Sequence, residues 1–213
     1  MKGFWEQRFK KEGRIWSDNP SSSAIYAADF FQNYHVQNLM ILDIGYGRNS
    51  RPFIEKHYEV SGIEISEEAI KLLNNSDLKN KIKKVHTGSI LNMEFKGEKY
   101  DAVFSFNVLH LFQEKDRISI INKCKSVLND SGILFFTVMS EFDFDYGKGT
   151  EIEYNTFDKR GKPVHFFSES DLKNHFRDFK IIETKLIDEP EEHGDLGKHV
   201  HKCRLIIAMK KHE

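Results

Sequence analysis

Apolar residues recur along this chain as short runs separated by polar stretches. Runs at residues 39–42, 60–65, 83–87, 102–106, 133–139, 180–187 and 204–209 have the length and composition of buried strands. Segments between the first five suit helices. Ser66-Glu67-Glu68-Ala69-Ile70-Lys71-Leu72-Leu73 offers a capping serine, early acids and then an apolar face. Ile118, Ile121, Cys124 and Leu128 repeat at roughly helical spacing, and Asp130-Ser131-Gly132 breaks that helix. A further helix is predicted over 168–176. Alternation of strand and helix predicts an α/β fold, a doubly wound sheet that is mostly parallel. The last two runs are joined by residues 188–203, polar and rich in His and Gly, with no helix. A parallel crossover usually needs one, so the chain should end in an antiparallel hairpin, the last of seven strands.

Between the fifth strand and the helix at 168–176 lies an insert, residues 140–167, that is aromatic and acidic. Loops at the carboxyl ends of parallel strands carry ligand sites, so this insert is expected to cover a substrate site; a surface hairpin with locally packed aromatics is the alternative. Neither repeats nor a low-complexity linker divide the 213 residues, so a single domain over 1–213 is expected, with a leader at 1–35. A net charge of −1 gives no positive field to attract nucleic acid. The basic cluster at 79–84 reads as solvated helix ends. No apolar run reaches the ~20 residues of a membrane span, and no apolar signal core is evident near the N-terminus. Cys124 and Cys203 lie far apart in apolar patterns, as expected of reduced core cysteines in a cytoplasmic protein.

The first run leads into Leu42-Asp43-Ile44-Gly45-Tyr46-Gly47, and the second ends in Gly62-Ile63-Glu64-Ile65. Gly45 and Gly47 let backbone approach a ligand. Glu64 follows at close to the ~20-residue spacing at which an acid can hold a nucleotide ribose. Asp43 beside the glycines would attract cations and repel a pyrophosphate. Position 50 is Ser50, so the third glycine of Gly-x-Gly-x-x-Gly is missing. Both points lower the alternative of an NAD-dependent oxidoreductase, which wants its loop free for phosphate.

These motifs, with seven strands and a terminal hairpin, resemble the class I S-adenosylmethionine-dependent methyltransferases. Thr87-Gly88-Ser89-Ile90-Leu91-Asn92-Met93-Glu94-Phe95 is similar to that family's third motif, and Tyr100-Asp101-Ala102-Val103-Phe104-Ser105-Phe106-Asn107-Val108-Leu109-His110 to its fourth. The leader, with Trp5-Glu6-Gln7-Arg8-Phe9 and Ile15-Trp16-Ser17-Asp18-Asn19-Pro20-Ser21, resembles that of tellurite-resistance and thiopurine-type enzymes, which helps cover the cofactor. The resemblance implies S-adenosylmethionine as cofactor and methyl transfer to a small-molecule acceptor. It puts Gly45, Tyr46 and Gly47 beneath the methionine part, Asp43 near its amino group, Glu64 on both ribose hydroxyls and Ile65 on adenine. Ser89 and Ile90 take the adenine edge, and Asn107 the reactive side. One departure stands out, since the family usually writes Gly-x-Gly-x-Gly. Either Asn49 replaces the third glycine, or two residues are missing and Gly47 is the third. The deletion is the preferred reading, because it aligns Arg48-Asn49-Ser50 with the same triplet in tellurite-type enzymes.

Transfer from a sulfonium is governed by proximity and orientation. A thiolate or metalloid oxyanion needs no base, whereas a hydroxyl or amine benefits from one. His110 is the catalytic candidate, with a helix histidine as the alternative. Trp16, Tyr146, Tyr154, His165, His199 and His201 are the candidate substrate contacts. His199 and His201 in an extended segment would point to one side, and with His193 or Glu192 could form a zinc-type site. A polar hairpin loop is the preferred reading there, and no metal is expected. A protein that binds the cofactor without turnover remains a second functional alternative. The oligomeric state is open.

Overall fold

Local chemistry sets the helix starts. The hydroxyl oxygens of Ser21, Ser66 and Ser168 accept the amide hydrogens of Ala24, Ala69 and Asp171 at 3.1, 3.2 and 3.1 Å. In the computed structural model, which describes residues 1–92, 94–95, 97–194 and 197–211, the helices are α1 (Lys2–Glu12), α2 (Ser22–Gln32), α3 (Arg51–Glu55), α4 (Glu67–Asn74), α5 (Glu114–Val127) and α6 (Glu169–His175). Pro52 occupies the first turn of α3, where its missing N–H costs little. The strands are β1 (Asn38–Leu42), β2 (Glu59–Glu64), β3 (Lys84–Thr87), β4 (Tyr100–Phe106), β5 (Leu128–Met139), β6 (Thr150–Glu153), β7 (Thr156–Asp158), β8 (Pro163–His165), β9 (Phe179–His193) and β10 (Gly197–Lys210). Short 3₁₀ turns cover Arg48–Ser50 and Leu109–Leu111.

Seven strands form one sheet in the order β3-β2-β1-β4-β5-β10-β9, and β6-β7-β8 form a second. Pairs β1–β2, β2–β3 and β4–β5 are parallel, and β10 runs antiparallel to β5. The α/β architecture with an antiparallel terminal hairpin is therefore as expected. The chain divides into two compact units, Met1–Lys96 with Pro190–His199, and Gly97–Glu189 with Val200–Glu213. In the first, Leu39, Met40, Ile41, Val60 and Ile63 are buried in the strands, with Phe31 and Phe53 from α2 and α3. In the second, β4, β5 and β10 bury Val103, Phe104, Leu134, Phe135, Phe136, Leu205, Ile206 and Ile207.

Four details differ from the sequence reading. No helix joins β3 to β4 among the described residues of 88–99, which form turns instead; Met93, within the third motif, lies outside them. Helix α5 starts four residues earlier than Ile118 and leaves Ile118 46% exposed, burying Ile120, Ile121, Cys124 and Val127. The 140–167 insert holds three short antiparallel strands rather than an open loop. The terminal strands continue through most of the polar 188–203 segment. Its residues alternate between half-buried and exposed from Glu191 to Val200, apart from the undescribed 195–196, which is strand periodicity written in polar residues. Pro190 is tolerated because β9 is the edge strand, where a missing donor breaks no inner ladder. Both cysteines are buried and free, and burial pushes the Cys124 thiol up to about 12, making it inert.

Candidate functional site

Asp43 follows β1 directly and adopts a left-handed backbone, φ 59°. Asn107 follows β4 in the same conformation, φ 53°. Asp and Asn tolerate this region better than most residues, and such strain gathers at functional sites. In open parallel sheets ligands bind outside the carboxyl ends of the strands, where both residues lie.

The glycines divide their work. A Cβ on Gly45 (φ +59°) would meet nothing within 4 Å, so open space lies above this turn. A Cβ on Gly47 (φ +91°) would strike the Leu73 and Leu78 side chains at 2.7 and 2.8 Å. Gly47 thus does the close-packing job of a third glycine. Asn49 lies in the 3₁₀ turn and is absent from the left-handed residues. Its side chain accepts the Ser21 N–H at 2.9 Å. The geometry favours the two-residue deletion over replacement by Asn49.

Around this loop the leader is fastened by named contacts. The Tyr46 hydroxyl donates to the Ser17 carbonyl at 2.6 Å and accepts the Trp16 N–H at 3.1 Å. Trp5, Phe9 and Trp16 pack together, Phe9 lies edge-on to Tyr46, and the Ser66 hydroxyl donates to Glu6 at 2.8 Å. Trp16 therefore serves first in the leader's aromatic cluster.

Glu64 is unlike the open ribose acceptor that its position in the motif suggests. It is 1% exposed, and its two oxygens accept the N–H groups of Gly45 at 2.9 Å and Ser66 at 2.6 Å. Burial, then the charge of Asp43, push its carboxyl well above the usual carboxylate range. The interaction between the two carboxyls raises Glu64 and lowers Asp43. Asp43 is raised overall, by burial first, although that interaction opposes the rise. Asp43 itself is exposed.

The histidines separate sharply. His110, in the 3₁₀ turn after β4, is 4% exposed, and its Nδ1 has no hydrogen-bond partner. Burial, then the neighbouring Lys162, His201, His165 and Lys159, hold its pKa well below the ordinary value. It is a neutral imidazole with an unsatisfied buried nitrogen. His165 is held at both nitrogens. Its Nδ1 pairs with the Thr156 hydroxyl at 2.8 Å and its Nε2 with Asp171 at 2.7 Å. Only 2% exposed, it ties the insert to α6. Tyr154 is 82% exposed at a turn, while the Tyr146 hydroxyl donates to Asn155 at 2.9 Å beside Phe157 and Phe166. His201 Nδ1 bonds Asp143 at 2.9 Å, and His199 Nδ1 bonds the Gly197 carbonyl at 2.8 Å. Ile65 and Ser89 are half-buried, and Ile90 is 8% exposed.

A family model described as a methyltransferase domain matches residues 42–136, from the end of β1 into β5. No curated protein matches the chain. Among solved structures, a methyltransferase dependent on S-adenosylmethionine from Methanosarcina mazei is 22% identical, covers 86% of this chain and 98% of its own, and has a TM-score of 0.71. TehB from Haemophilus influenzae is 22% identical over 97% of this chain and 67% of its own, TM-score 0.67. The CcbJ methyltransferase from Streptomyces caelestis is 14% identical over 97% of both, TM-score 0.72. Residues 42–136 thus match a methyltransferase domain, and the chain shares the fold of these solved methyltransferases.

The residues here fit S-adenosylmethionine. The exposed Asp43 carboxyl offers a cation an acceptor, and the space above Gly45 is room that a side chain would fill. An acid at this loop would disfavour a pyrophosphate, which counts against the nicotinamide alternative. Among the described residues, no helix is long and apolar enough to cross a membrane.

Proposed function

We propose that this protein, acting as one domain in the cytoplasm, methylates a small-molecule acceptor in the manner of the tellurite-resistance and thiopurine-type enzymes. The observation that carries the reading is Asp43, an exposed acid beside an open glycine. S-adenosylmethionine supplies a methyl already activated on a sulfonium. Asp43 accepts hydrogen bonds from its ammonium, and ionises more readily as it does so because a cation offsets the burial that raises it. Gly45 and Gly47 keep the loop low, with Tyr46 holding the leader over it. Glu64 and Ile65 serve the ribose and adenine, and Ser89 and Ile90 the adenine edge. For Glu64 this requires the carboxylate to use lone pairs beyond those taken by Gly45 and Ser66. Asn107 orients the reactive side.

His110 is the residue that would accept a proton. Being neutral, it can take one from a hydroxyl or amine acceptor through its unpartnered nitrogen. Tyr146, His199 and His201 are retained as substrate contacts with Trp16, and Tyr154 as a mobile aromatic at the rim. Near-neutral charge supports a small acceptor over nucleic acid. The covering of Glu64 favours one competing reading, a protein that binds cofactor without turnover. Product formation against thiols, metalloid oxyanions and phenols separates the two. Turnover of at least one class is expected, and His110→Asn should lower kcat on phenols by about 100-fold while leaving thiols within about threefold. Binding without product from any class would favour the non-catalytic reading.

A further inference from the structure

The tip of the terminal hairpin carries a cluster of which the methyl-transfer reading uses only His199. One ligand atom from each of Glu191, His193 and His199 lies within 4.8 Å of the others. Strand alternation explains the set. Glu191 and His193 share a face of β9, Glu192 points the other way and is exposed, and His199 lies on the half-buried face of β10. The His193 and His199 rings meet edge to face, 4.6 Å apart at 86°.

Each donor is oriented by a second partner. His199 Nδ1 faces the Gly197 carbonyl at 2.8 Å, and a carbonyl can only accept, so Nδ1 carries the proton and Nε2 the lone pair. Glu191 Oε1 accepts from the Arg48 guanidinium at 3.0 Å, while Oε2 faces His193 Nε2 at 3.1 Å. Arg48 also donates to the Trp16 carbonyl at 3.2 Å, and Trp16 packs edge-on to His193. Fixed tautomers and hydrogen-bonded carboxylates are the supports that metal ligands require. The Glu191 and His193 side chains are only 7% and 17% exposed.

We propose that Glu191 Oε2, His193 and His199 Nε2 bind a divalent transition ion of the zinc, cobalt or nickel class. Tetrahedral ligands ~2.1 Å from an ion stand ~3.4 Å apart, so small side-chain rotations close the observed spread. Two imidazoles and one carboxylate leave at least one coordination position for water or an anion. The ion would pin the hairpin tip to the leader at Trp16 and to Arg48, next to the glycine loop.

The test uses the full untagged chain, stripped with chelator and titrated with Co²⁺, whose visible absorption reports coordination, followed by Zn²⁺ competition. One equivalent is expected, weakened more than about tenfold by H193A or H199A and unchanged by H35A, a histidine exposed at the surface. X-ray absorption of the zinc-loaded wild-type protein, which depends on no variant folding, should show two imidazole ligands. Absence of saturable one-to-one binding would overturn the proposal. So would equal affinity in a folded H193A/H199A double variant, or a zinc shell without imidazole.

Discussion

Two carboxyl centres, one in each compact unit, respond to burial in opposite ways. Glu64 meets another carboxyl, and burial followed by the charge of Asp43 pushes it well above the usual range despite two backbone N–H donors. Burial pushes Asp171 the same way, but hydrogen bonds from His165 and His175 overturn that and hold it well below the range. Neighbouring charge and donors, rather than depth, decide the sign. A raised pair is short of a cation and suits a ligand. A depressed carboxylate already has its hydrogen-bond donors and acts as a tie. The same contrast separates His110, buried with an unpartnered nitrogen, from His165, buried with both engaged.

Breaking the tie should give the largest effect on stability. Breaking a buried pair costs ~3–5 kcal/mol; Asp171 is 22% exposed on its side chain, so D171A should cost about 2–3 kcal/mol in denaturant unfolding. It should leave cofactor affinity in the folded fraction unchanged. The two glycines sharpen the comparison next. G47A forces a Cβ into Leu73 and Leu78 at φ +91° and should cost about 2 kcal/mol. G45A meets only backbone strain, about 1 kcal/mol, but should abolish cofactor binding by filling the open space. Equal loss of binding in both, at equal stability, would remove the distinction between a packing and a ligand glycine.

The pH dependence of stability separates the centres more gently. Asp43 and Glu64 hold extra proton in the fold, so their contribution is complete below the usual carboxylate range and fades as pH rises through their raised values. Asp171 runs the other way, contributing above the usual range and losing that as pH falls through its depressed value. His165 and His110, held neutral chiefly by burial, also weaken the fold as pH drops below ~6.5. D43N gives Glu64 an amide donor in place of a second acid, and should raise stability at neutral pH by about 1 kcal/mol and flatten the alkaline decline. A thermal-unfolding series across pH checks both slopes.

Much of this was legible from residue pattern. Strands β1, β2 and β4 announce themselves as apolar runs, and Ser66 and Ser168 mark their helices because capping is local chemistry. The terminal hairpin was legible but its length was not, since the ends of β9 and β10 that meet at the tip alternate polar residues and include Pro190, which read as loop. The turns between β3 and β4 replaced an expected helix for which only a short polar segment was available. At the site, Asp43 and the glycine loop could be read from spacing, but the covering of Glu64 could not. It depends on where the Gly45 and Ser66 amides fall once the loop has folded. The engagement of His165 likewise needs α6 to bring Asp171 to it, a contact that no local pattern records.

The central claim is that Asp43 is the acid that receives the cationic cofactor. Isothermal titration calorimetry with S-adenosylmethionine and its demethylated product tests it most directly, on the wild-type chain and on D43N. The account predicts saturable one-to-one binding to the wild type, and at least about 100-fold weaker binding to a D43N protein that is as stable as the wild type or more so. Wild-type protein that binds neither compound, or D43N that binds them as tightly, would contradict it.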